Sequence, residues 1–235
     1  MKPSLFRSEA AELAATAALT ASAASFVLLH LIMSDVVDPV STPVSMYALT
    51  FPGVALFPLG ALSLALACAI LAGRGLGLQR QALIRWLLGT TAVMLVLASV
   101  FRSGTPESGL TFAAQVHRYT AGAAFVMLTL VGWLCAARMR ESGASAAIRR
   151  ATWAVTALAV LTFLTTTANT FLPGLADGGE WRGVPQRVLL VVLSALIGLL
   201  IVNSRREATA PEKTMAATAA RGDAVGAPAL AGSKS

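Results

Sequence analysis

ALTFPGVALFPLGALSLALACAILAG, residues 48–73, runs for 26 residues without a charged side chain. A helix needs roughly 20 apolar residues to cross about 30 Å of hydrocarbon, so this stretch reads as a membrane span. Five more runs of the same kind surround it, at 13–33, 83–101, 116–137, 151–172 and 184–202. The composition agrees with them. Of 235 residues, 56% are hydrophobic and 12% charged, against about a quarter charged in a soluble domain. The mean hydropathy of +0.73 implies more apolar surface than one water-soluble core could hide. The expected fold is therefore all-α, a polytopic membrane protein built as a bundle of six transmembrane helices.

Charge sets the expected orientation. Lys and Arg number fourteen on the side of the N-terminus and four on the other side (Arg102, Arg118, Arg182, Arg187). Loops rich in cations stay in the cytoplasm, so both termini are expected there, in the cell membrane. With Asp35, Asp38, Glu107, Asp177 and Glu180, the opposite face sums to about −1 and the cytoplasmic face to about +8. The net charge of +7 is thus loop charge on a membrane protein, with no basic and aromatic stripe to favour nucleic acid. Ala21, Ser22 and Ala23 could pass for a signal-peptide cleavage site, but the apolar run continues to Met33, and cleavage would halve a helix. The chain then divides into an N-terminal cytoplasmic segment (1–12), the membrane domain (13–203) and a disordered cytoplasmic tail (204–235), whose composition buries too little apolar surface to order.

Cys68 and Cys135 both lie inside apolar runs and read as small buried hydrophobes. Trp86, Trp133 and Trp181 fall near span ends, as interfacial anchors do. Pro52 and Pro58 sit in the first half of the second span, where Pro58 is expected to kink the helix. Thr152, Thr156, Ala159, Thr162, Thr166 and Asn169 recur at steps of three or four, so one face of the fifth span is small and polar and should look inward.

The polar residues that could form a site gather at the non-cytoplasmic ends of the spans. Ionisable groups in a bilayer are costly and often functional. Convergence of these ends gives a candidate ligand pocket of Ser45, Tyr47, His117, Thr166, Asn169 and Arg187, with Arg187 pairing an anionic group and His117 supplying one hydrogen bond. The residue types for other chemistries are present only in part. His30, His117 and Asp35 or Asp38 lack metal-site spacing on any one helix. Two histidines from different spans could ligate haem on the same loose grounds. A Ser45, His117 and Asp38 relay would lack a nucleophile elbow. Gly75 and Gly77 lack the strand and helix of a nucleotide loop. No cofactor or metal is expected. The leading expectation is a non-enzymatic lipid-binding or small-ligand-binding accessory protein with membrane lipid as its partner. A metal-dependent hydrolase of lipid amides or esters, and a lipid or small-solute transporter, are the alternatives.

Asp38-Pro39, Ser45-Met46-Tyr47-Ala48, Val100-Phe101, His117-Arg118-Tyr119-Thr120-Ala121-Gly122 with Phe125, and Gly183-Val184-Pro185-Gln186-Arg187 together resemble the bacterial domain-of-unknown-function 998 family. The resemblance spans the whole bundle. It implies a six-span membrane protein in which Ser45, His117 and Arg187 match polar positions at the outer face. The loop from Arg102 to Glu107 departs from the pattern, which has an Asp near Pro106.

Overall fold

A computed structural model describes residues 3–76, 78, 81–104, 111–141, 144–172, 174 and 180–225, with side chains given from residue 9 to residue 204. Lys2, Gly77, Arg80, Pro106, Glu107, Asp177 and the tail beyond Val225 lie outside the described residues. Six long helices follow one another: α1 (Pro3–Met33), α2 (Gly53–Arg74), α3 (Ala82–Val100), α4 (Phe112–Arg138), α5 (Ala146–Phe171) and α6 (Gly183–Val225). All six contain a stretch long and apolar enough to cross a membrane. At 22 residues, α2 is about 33 Å long by its rise per residue.

Helices α1, α4 and α5 begin ahead of the apolar runs read in the sequence, at Pro3, Phe112 and Ala146, and two further boundaries differ. Residues 48–52 do not belong to α2; Ala48 and Leu49 finish a short 3-10 turn, Val44–Leu49, and Pro52 caps α2 instead of lying within it. A proline lacks the N–H that a helix interior requires but suits a helix start, so only Pro58 is internal. At the other end, α6 continues to Val225, into the segment expected to be unstructured. Ala, Arg, Glu, Lys and Met dominate that stretch, and all of them favour helix.

Each helix packs on its sequence neighbour, and α1 closes the ring against α6. Along α6, Leu189, Val192, Leu193, Leu196, Ile197, Leu200 and Ile201 are all buried, a spacing of three and four that makes one stripe. That stripe joins α2, α3 and α4 residues in the main apolar core. Gly132 lets α4 approach α5 and α6, since a Cβ there would stand 2.5 Å from Thr156 Oγ1 and 2.9 Å from Leu196. The α5 stripe faces inward as expected, with Thr152, Thr156, Ala159 and Thr162 buried. Outward, large apolar side chains such as Leu31, Val100, Leu161 and Val191 are exposed, which is the surface lipid covers. Trp86, Trp133 and Trp181 are exposed too, and both cysteines are buried and free.

The helix ends at one face are tied by cations. Arg74 pairs with Glu12 across α1 and α2 at 3.5 Å. Arg85 donates to the carbonyls of Ala72 and Gly73, orphaned at the end of α2. Gly75 takes φ of 79° just past that end, a left-handed position that glycine occupies without strain.

Candidate functional site

The connection from α1 to α2 forms a strap across the opposite face. Asp38 shapes its first turn: Ser41 Oγ donates to Oδ2 at 2.6 Å and the Val40 amide to Oδ1 at 2.9 Å, an Asx-type turn. The Ser41 hydroxyl, followed by that amide, holds the exposed Asp38 carboxyl below its ordinary range. The turn aims the carbonyls of Pro39 and Thr42 at the first turn of α6. There Arg187 Nη1 donates to both, at 2.7 Å each, and Nη2 donates to the Tyr47 hydroxyl at 3.2 Å. The guanidinium also stands 5.5 Å over the Tyr47 ring. The Tyr47 hydroxyl also shares a hydrogen bond with His30 Nδ1, 3.3 Å away.

Two neighbours on α6 complete the clasp. Gln186 Oε1 accepts from the Val44 amide at 2.8 Å, and the Gly183 amide donates to Val40 O at 2.8 Å. A Cβ on Gly183 would collide with Pro39 O, and would lie 2.6 Å from Arg187 Nη1 and 2.7 Å from Thr42 O, so this close approach admits only glycine. Beneath the strap Tyr47 packs with Leu29, Met33, Val37, Val44, Ala48 and Phe57 in a second apolar cluster.

His117 serves a different junction. Its Nδ1 lies 2.7 Å from Ala98 O and 2.9 Å from Phe101 O. Both partners are carbonyl oxygens, so Nδ1 carries the proton and donates to the unsatisfied end of α3. The imidazole stands between two hollows. One, of about 130 Å³, is bounded by Val54, Phe57, Pro58 and Ala98. The other is a cleft of about 860 Å³ between α4 and α5, bordered by the strap.

The cleft walls explain its existence. On α4 the lining residues Ala114, His117, Arg118, Ala121, Gly122 and Phe125 share one helical face, and a Cβ on Gly122 would meet nothing within 4 Å. On α5 Phe163, Thr166, Thr167, Thr170 and Phe171 face it. Thr166 and Thr170 donate their hydroxyls to carbonyls one turn back, at 2.7 and 2.8 Å, so these two donors are spent within α5. Small residues opposite self-satisfied threonines leave a gap that no side chain fills. Ser41, Thr42, Ser45 and Met46 of the strap, with Glu180, Arg182 and Gln186, border its mouth. Ser103 Oγ fixes this border by donating to Ser45 O at 3.2 Å.

The six residues singled out in the sequence therefore divide. Ser45, His117 and Thr166 line the cleft together. Tyr47 and Arg187 form the clasp behind the strap, where Arg187 Nη1 and Nη2 go to backbone carbonyls and to the tyrosine, while Nε is buried with no partner among the described residues. Asn169 lies off the cleft face, its Nδ2 donating to Thr165 O at 2.9 Å. Arg118, Gly122 and Thr170 were not singled out as site residues. The signal for Gly122 and Thr170 was positional, a glycine at a four-residue step from Arg118 and a threonine at one from Thr166. Among the described residues no three His, Cys, Asp or Glu side chains stand close enough to share a metal ion.

A six-span helical bundle with a clasped strap and a lateral cleft is the class of molecule these features define: a multi-pass membrane protein. Its residues 15–203 match the family described as "Protein of unknown function (DUF998)", and the chain belongs to that family. No curated protein and no solved structure matches it.

Proposed function

We propose that the protein is a non-enzymatic binding or accessory protein that holds a lipid or small amphipathic ligand in the α4–α5 cleft, at the expected non-cytoplasmic face of the cell membrane. The observation that carries this reading is the gap at Gly122, where helix-lining residues leave about 860 Å³ unfilled, within the roughly 300–1,000 Å³ of small-molecule sites. The cleft is apolar along its length and polar at its mouth, the pattern of an amphiphile. Ser45, His117 and Thr166 form part of the lining, and Tyr47 with Arg187 fixes the strap wall. With Nδ1–H donating to α3, His117 braces the end of that helix, and Nε2 is the ring nitrogen left to accept a hydrogen bond.

The test is lipid retention. Wild-type protein extracted in mild detergent should carry about one lipid per chain by mass spectrometry, chemically intact after incubation. Gly122→Leu, which fills open space, should melt at the same temperature or higher and lose that lipid. Equal retention by the two proteins would overturn the reading, and recovery of hydrolysed lipid would replace it with an enzyme.

A further inference from the structure

The geometry points to a phosphate-bearing lipid as the occupant of this cleft, its phosphate held by Arg118 and its chain lying between α4 and α5. The inference rests on the cleft reading above and adds the headgroup chemistry. Arg118 stands at the mouth with its guanidinium carbon 5.6 Å from the Phe171 ring centroid, so a side chain of α4 reaches across to α5. The cation–π contact with that ring holds the guanidinium near α5 and uses none of its N–H groups, and it has no hydrogen-bond acceptor among the described residues. A planar fork held in this way matches two phosphate oxygens.

The charge around it points the same way. Among the described residues that line the cleft, the charged side chains are Arg118, Arg182 and Glu180, so Arg118 is a cation placed at the opening and available to an anionic headgroup. Below the mouth, Ala121 and Gly122 face Thr166 and Thr170, whose hydroxyls are spent on their own helix, a surface an acyl chain can lie against.

The experiment titrates full-length protein with phosphatidylglycerol, with diacylglycerol of the same chains and with inorganic phosphate, reading bound stoichiometry by native mass spectrometry and the melting shift. Phosphatidylglycerol should bind about tenfold or more tighter than diacylglycerol, the worth of a hydrogen bond to a charged group. Arg118→Ala should erase that preference, and Arg118→Lys should restore part of it. Displacement of phosphatidylglycerol by inorganic phosphate supports the phosphate as the recognised group; phosphate binding without any lipid binding overturns the lipid assignment. If both lipids bind equally, in wild type and Arg118→Ala alike, yet Gly122→Leu excludes them, the headgroup inference falls and the cleft reading stands. If Gly122→Leu changes nothing, both fall.

Discussion

Arg187 and Tyr47, 140 positions apart, form a single unit in which Nη2 donates to the phenol at 3.2 Å while the guanidinium carbon stands 5.5 Å from the ring centroid. A lysine cannot reproduce the fork that also holds Pro39 O and Thr42 O. Arg187→Lys should therefore destabilise the protein by roughly 2–4 kcal/mol, because carbonyls are left unsatisfied. Tyr47→Phe keeps the ring and should cost about 1 kcal/mol. Thermal unfolding in detergent measures both, and an Arg187→Lys protein as stable as wild type would refute the clasp.

Gly183 tests the same clasp without touching charge. An added methyl must displace Pro39 O or the Arg187 guanidinium, so Gly183→Ala should lose roughly 1–3 kcal/mol, as overpacking does. At Gly122, by contrast, an alanine meets nothing within 4 Å, and Gly122→Ala should be neutral or stabilising in the same assay.

His117 is predicted to matter as a donor. His117→Ala leaves Ala98 O and Phe101 O without it and should cost about 1–3 kcal/mol. His117→Asn returns an N–H near the same place and should recover much of that loss while lipid retention persists. Loss of retention in a stably folded His117→Asn protein would assign the imidazole a direct role toward the ligand.

Asp38 predicts an acid limb. Its carboxyl lies below the ordinary value of 3.8, chiefly through the Ser41 hydroxyl. A depressed carboxylate stabilises the fold above its unfolded value, and that contribution is withdrawn as pH falls through the folded one. The stability difference between wild type and Asp38→Asn should thus be full at neutral pH and close progressively below pH 3.8. A difference independent of pH would contradict the turn.

The six spans were legible because lipid demands long apolar runs, and no other force in the sequence competes with that demand. Residues 48–52 differ because apolarity does not separate a membrane helix from a partly buried 3-10 turn in the strap; Pro52 held the information. The inward face of α5 was readable from its period. Continuing the period from Thr166 to Asn169 failed because the cleft follows the four-residue step to Thr170 instead. Arg187 was recognised as important, yet its partners were hidden: Pro39 O, Thr42 O and the Tyr47 hydroxyl lie 140 or more positions away, and backbone carbonyls leave no trace in side-chain pattern. The cleft itself is a matter of what is missing between two helices, so only packing reveals it.

An experimental map of the protein in phosphatidylglycerol nanodiscs tests the central claim most directly. The account predicts elongated density between Gly122 and Thr166, ending in a compact headgroup at Arg118. Helices α4 and α5 closed together, or a cleft occupied only by water, would contradict it.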